Sequence, residues 1–223
     1  MQRRSLILSA SALAFASSRA NALSETDAAS GIRAALEKGA NSAVALLGTK
    51  DGFMGNPQVH IQLPGALQSA AKLAKATGQG RKVDELELAM NRAAEAAVPK
   101  ARELLVNAVK SMSVDDGLKI LRGGDDSATR FFEAKTRGPI GEQFLPIVKQ
   151  ATAKVSLADK YNAVAGKAAG FGLIKREDSN IDSYVTGKAL DGLFLMIAQE
   201  EKKIRQDPVG TGSALLKKVF GSL

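Results

Sequence analysis

The stretch VDELELAMNRAAEAAVPKARELLVNAVKSM, residues 83–112, decides the fold class. Val83, Leu86, Met90, Ala93, Ala97, Ala101, Leu104, Ala108 and Met112 recur at intervals of three and four, the period of one helix face. Pro99 lies inside this seam and predicts a kink or a split, because its ring blocks the helical hydrogen bond and crowds the preceding turn. The same period continues on both sides. Upstream, Ile32, Leu36, Ala40, Val44 and Leu47 run to a stop at Gly48, with Ser24 as the expected N-cap and Asp27 as its capping-box acid.

Between these stripes the pattern breaks at Gly52, Gly55, Pro57 and Pro64. Only Val59, Ile61 and Leu63 alternate, with His60 and Gln62 between them, which predicts one short extended segment near 59–63. An isolated strand cannot define a sheet. A helix is expected over 64–76. Downstream, Ser113 with Asp115 and Asp116 caps a short helix ending at Gly123-Gly124, and Asp125-Asp126 starts another that carries Phe131 and Phe132. Further helices are expected from about Ile140 to Val155, Leu157 to Ala169, Ile181 to Gln206 and Pro208 to Phe220, the last opened by Asp207-Pro208. Linkers of a few residues favour antiparallel neighbours. The expectation is an all-α fold: a single compact multi-helix bundle, one helical domain over 23–223.

Residues 1–22 read differently. Met1-Gln2-Arg3-Arg4 is a positive n-region, Ser5 to Ser18 an apolar and small-residue stretch, and Ala20-Asn21-Ala22 an A-x-A cleavage site, which together form a secretory signal peptide. Arg3-Arg4-Ser5-Leu6-Ile7 also resembles a twin-arginine signal, so the export route stays open. Cleavage near Ala22 implies a periplasmic protein of 201 residues. Because the signal holds three Arg and no acid, the charge falls from +8 to +5. No later apolar run approaches the ~18 residues of a membrane span.

Composition removes most reactive classes. The chain of 223 residues has no Cys and one His, His60. Thiolate zinc sites, iron–sulfur clusters, redox dithiols and any site needing two imidazoles are therefore excluded. Gly166-Lys167 and Gly187-Lys188 lack the first Gly and the hydroxyl of a phosphate-binding loop. No G-x-S-x-G is present. Asp125-Asp126 and Asp51 with Asn56 lack the alternating acids of a calcium loop and are read as capping and turn residues. No cofactor and no metal are expected. Lysines pair with acids, as in Glu200-Glu201-Lys202-Lys203, rather than forming a basic stripe, so no nucleic-acid partner is expected. Lys217-Lys218 between Leu215-Leu216 and Val219-Phe220 fits either core packing or peripheral membrane contact through the C-terminal helix.

What remains is a set of polar residues among small apolar ones. Asn91, Arg92 and Glu95 lie on the Ala-rich helix, with Asn91 and Glu95 sharing a face at i,i+4. Tyr161 and Asn162 open another helix, and Tyr184 and Asp191 lie on the helix that carries Leu193, Phe194 and Met196. Charges in such seams need partners. These seven are expected to cluster near the middle of the bundle, as a structural network or as a ligand site. Two functions fit: a non-catalytic binding or interaction protein of the cell envelope, taking an amphiphilic or apolar ligand or a protein partner, or a periplasmic hydrolase or lyase using Glu95, Asp191 and Tyr184.

With these blocks laid out, the chain resembles the bacterial family catalogued as domain of unknown function 4197. The resemblance is carried by Leu46-Leu47-Gly48, Asp51-Gly52-Phe53, Asn56, Ile61-Gln62-Leu63-Pro64, Asn91-Arg92-Ala93-Ala94-Glu95, Pro146-Ile147-Val148, Tyr161-Asn162, Tyr184-Val185, Ala189 to Phe194, Glu200-Glu201, Ile204-Arg205 and Leu216 to Gly221. It implies a helical, exported bacterial protein and transfers no activity, cofactor or catalytic residue. Gln62 departs from the Ile-Pro-Leu-Pro expected at that point.

Overall fold

Helix follows helix in the computed structural model, which describes residues 25–78, 80–172 and 179–207. In chain order these are α1 (Glu25–Leu47), α2 (Gly65–Ala76), α3 (Gly80–Ala97), a 3₁₀ turn (Val98–Lys100), α4 (Ala101–Lys110), α5 (Val114–Arg122), α6 (Ser127–Thr152), α7 (Ser156–Gly170) and α8 (Ile181–Gln206). There is no strand among the described residues, and no described helix is long and apolar enough to cross a membrane. The signal peptide, the Ser24 cap and the C-terminal helix from Pro208 lie outside the described residues.

α6 runs through the centre, packed against α8, α3 and α4, while α1 lies against α8, α5 and α4. The fully buried side chains Ile32, Leu47, Phe53, Leu86, Met90, Leu105, Phe132, Ile140, Phe144 and Leu193 share one core. Pro99 splits the long seam, as its missing donor requires. Upstream, Val83, Leu86, Met90, Ala93 and Ala97 are buried; downstream, Ala101, Ala108 and Met112 stay buried as expected, joined by Leu105 and Val109, while Leu104 is only partly buried.

The expected break between a helix bearing Phe131-Phe132 and another starting at Ile140 is corrected: α6 is continuous through Pro139 and Pro146. Phe132, Thr136, Ile140, Phe144, Val148 and Thr152 form one buried row at a spacing of four. Both prolines sit on the exposed side. The carbonyls they deprive of a partner, four residues earlier on the same face, are left to water at small cost. Thr136 and Thr152 satisfy their buried hydroxyls on the carbonyls of Phe132 and Val148.

Capping matches expectation at α5, where Ser113 and Asp116 form a reciprocal capping box. It differs at α6. Asp126 makes no side-chain cap and instead pairs with Arg130 at 2.6 Å. The free amides of α6 are met from α8: Glu201 accepts from the Ala128 and Thr129 N–H groups, both at 2.9 Å, and from the Thr129 hydroxyl at 2.8 Å. Arg205, one turn on, donates to the same carboxylate at 2.9 Å. Glu201 is therefore buried rather than part of a solvated charge run, whereas Glu200 pairs with Lys203 near the surface. One residue along a helix turns about 100°, which is enough to send neighbouring glutamates to opposite environments. Replacing Glu201 by Ala strands two helix-terminal amides and leaves Arg205 with neutral acceptors, the Ile120 carbonyl and the Ser127 hydroxyl, and urea denaturation should show a loss of about 3 to 5 kcal/mol.

Candidate functional site

The connection from α1 to α2, residues 48–64, carries no helix or strand; turns within it pair some of its backbone groups, and the others must find partners elsewhere. Its first turn has Asp51 at a φ of 66°, a left-handed conformation that Asp tolerates. Gly52 follows because a Cβ there would lie 2.5 Å from the Leu47 carbonyl oxygen. The turn drives Phe53 into the core against α8, where Gly192 makes room; a Cβ on Gly192 would stand 2.8 Å from the Phe53 ring.

α3 supplies what the loop backbone lacks. Glu87, Asn91 and Glu95 stand four residues apart, one above another on a single helix face. Glu95, buried, accepts from the Phe53 and Met54 amides at 3.0 and 3.1 Å. Its second oxygen takes Arg92 at 2.6 Å, and the other arm of that guanidinium reaches Asp51 at 2.7 Å. Asn91 donates to the Ile61 carbonyl at 3.0 Å and accepts the Ile61 N–H at 2.8 Å, with its second N–H on the Glu87 carbonyl. An amide that takes both groups of one residue substitutes for a neighbouring strand. The segment is extended as expected, with Val59, Ile61 and Leu63 buried, but its partner is a side chain on a helix.

Glu87 completes the row on His60. The imidazole Nε2 lies 2.7 Å from the Glu87 carboxylate and Nδ1 3.0 Å from the Met54 carbonyl. Both partners are acceptors, so both contacts are made only by the doubly protonated ring. Burial works against that charge, but the Glu87 hydrogen bond, the Met54 carbonyl and the Glu87 charge outweigh it and raise the His60 pKa above its usual 6.5.

The other expected residues fall in three places. Tyr184 donates to the Gln62 carbonyl at 3.0 Å, so it holds the far end of the same loop from α8. Asp191, two turns along α8, takes Arg137 at 2.6 Å and Lys188 at 3.5 Å at the surface. Tyr161 is buried in the core, and Asn162 accepts the Ile181 N–H at 2.7 Å, fastening α7 to the start of α8. Asn91, Arg92, Glu95 and Tyr184 thus meet on the loop; Tyr161 and Asn162 belong to the α7–α8 junction. His60, Glu87 and Asp51 complete the network. Glu87 had a visible signal, since it extends the Asn91–Glu95 spacing by one turn. The reach of Asp51 and His60 to α3 had none.

Two clefts flank the pinned segment. One, of about 350 Å³, lies between residues 58–65 and α8, with Gln58, Gln62, Gln68, Tyr184, Lys188 and Asp191 on its walls. The other, of about 260 Å³, lies toward α2 and α3 and shares His60, Gln62, Leu63 and Gln68 with the first. A third, of about 320 Å³, contains Asn162, Asn180 and Asp182 at the α7–α8 junction. Among the described residues, no group of three His, Asp or Glu converges as a metal ligand set.

In comparison with known proteins, residues 22–221 match the family described as "Protein of unknown function (DUF4197)". Nothing matches among curated proteins or among solved structures.

Replacing Glu95 by Ala strands the Phe53 and Met54 amides and leaves Arg92 with Asp51 alone, and should destabilise the fold by about 3 to 5 kcal/mol in urea titration. His60 gives a second test. Its folded pKa is raised above the unfolded one, so its stabilising contribution is complete below about pH 6.5 and is lost as pH rises through the folded value. NMR titration of this single imidazole should give a midpoint above 6.5 that moves down in Glu87→Gln. The urea midpoint should fall over that interval in the wild type and stay level in His60→Gln.

Proposed function

For this chain, which belongs to the DUF4197 family, we propose the role of a non-catalytic binding protein of the bacterial cell envelope, one helical domain over 23–223 that takes a small amphiphilic ligand in the cleft between residues 58–65 and α8. The observation that carries this reading is the way the cleft is built. Loop 48–64 is held by Glu95, Asn91, the His60–Glu87 pair and Tyr184. The backbone that carries Gln58 and Gln62 therefore stands in place before any ligand arrives, Gln68 of α2 is fixed by donating to the Leu63 carbonyl at 3.1 Å, and Leu63 and Leu195 supply apolar wall. A preformed cavity of a few hundred Å³ with fixed hydrogen-bonding groups and some apolar surface is the ordinary form of a small-molecule site, and pre-organisation lowers the ordering cost of binding.

The residues considered for acid–base catalysis support binding rather than turnover. Glu95 is engaged by two amides and Arg92, Asp191 by Arg137 and Lys188, and Tyr184 by the Gln62 carbonyl. Each carboxylate has its own set of donors, and the three groups serve loop and surface contacts.

Export is part of the proposal. The signal-peptide pattern ends at Ala22, and the family match begins at residue 22. Native mass spectrometry of protein purified from the periplasm of its own host tests both parts. The expected species is the chain without residues 1–22, carrying an additional small-molecule mass that is lost in the double variant Gln62→Ala/Gln68→Leu. A cytoplasmic, full-length chain would remove the export part. Purified protein that carries no ligand but turns over periplasmic extract components would favour the hydrolase.

A further inference from the structure

Another cleft, about 510 Å³, lies elsewhere, between the outer face of α3 and the corner joining α6 to α7. Its lining combines two features. Leu88 is 41% exposed, on the side of α3 opposite the buried Val83, Leu86 and Met90, and faces a cleft that also holds Val155 and Leu157. Around this apolar floor stand Lys82, Arg92 and Lys154 against one acid, Glu85.

The charges are unequally compensated. Arg92 is balanced by Glu95 and Asp51. Glu85 is paired with Arg81 at 3.5 Å, and the neighbouring Lys75 is held by Asp84. Lys82 and Lys154 have no ion-pair partner among the described residues, and both are exposed. Their flexible stems can lie along the apolar floor while the ammonium groups stay in water at its rim. Such an arrangement suits a molecule with an alkyl chain for the floor and a negative head for the rim, and disfavours a cationic head. A tail-less anion gains little from two exposed lysines, since an exposed ion pair is weak.

We infer that this α3–α7 cleft binds a single-chain anionic amphiphile, an alkyl carboxylate or alkyl phosphate, with its chain on Leu88, Val155 and Leu157 and its head between Lys82 and Lys154. The site is separate from the cleft beside α8 and stands or falls independently of it.

Isothermal titration calorimetry of the mature chain, with each probe below its micelle concentration, tests the inference. Dodecanoate and dodecyl phosphate distinguish the two head groups, and at least one should bind in this cleft with one equivalent per chain, any second equivalent belonging to the cleft beside α8. Dodecyltrimethylammonium should bind about tenfold more weakly or not at all, and inorganic phosphate should give no heat. The double variant Lys82→Glu/Lys154→Glu should weaken the anionic probe about tenfold or more, as expected when attraction at both ends of a head group becomes repulsion. Leu88→Asp should do the same. All three positions are solvent-facing, so circular dichroism and melting should be unchanged. Amide NMR shifts should localise to residues 82–92 and 154–157. Affinity indifferent to head-group sign, shifts confined to another surface, or attachment to anionic vesicles without binding of the monomeric probe would each overturn the assignment.

Discussion

The Glu95 carboxylate on the Phe53 and Met54 amides is the contact on which the rest of the site depends. A helical protein satisfies its backbone within each helix, whereas the seventeen-residue connection closes several turns on itself and still leaves the Phe53, Met54 and Ile61 amides to be met by α3. An unpaired buried amide costs about 1 to 3 kcal/mol, so a loop carrying Phe53 fully into the core is viable only if its polar groups are met there. One Glu95 oxygen meets both amides, which leaves the second free for Arg92. A buried carboxylate must itself be compensated, which explains why Arg92 stands one turn away and why Asp51 receives the other side of that guanidinium.

The same solution appears at the opposite end of the sequence. Glu201 takes two consecutive amides, those of Ala128 and Thr129, and is compensated by Arg205 from its own helix. In one case the amides belong to a loop, in the other to the first turn of α6, where the helix dipole adds to the attraction. Both pairs are short-range in sequence and long-range in effect: Arg92 and Glu95 are three residues apart, Glu201 and Arg205 four, yet each joins elements that are at least forty residues distant in the chain.

This explains what the sequence disclosed. Helix positions follow from a local period, so the seam at 83–112 and the bounds of α8 were legible. The continuity of α6 was not, because two prolines are strong local signals, and only the packed row from Phe132 to Thr152 shows that both face solvent. Asn91 and Glu95 were legible as polar residues in an Ala-rich seam that had to be partnered. Their partners were not, since nothing local to Ile61 or Phe53 encodes a contact with a residue 30 or 42 positions away. Glu201 was hidden for a related reason: a run of charges on paper does not show which of them a helix turns inward.

The two clefts then differ in a way that follows from how the loop is fixed. Beside α8, every charge on the walls has a counterpart, Lys188 with Asp191 and His60 with Glu87, so discrimination there rests on the placement of neutral amides and the Tyr184 hydroxyl. Hydrogen-bonding sites of that kind reject near-analogues through the cost of an unpaired polar group. Phe53 couples this cleft to the fold, because its ring sits against Gly192 and brings loop and helix together at van der Waals contact. On the far side of α3 the clamp has the opposite consequence. By committing Arg92 to Glu95 and Asp51, it leaves the two lysines at the cleft rim as the uncompensated charges beside an exposed leucine, and selectivity there falls to charge and chain length rather than to hydrogen-bond geometry.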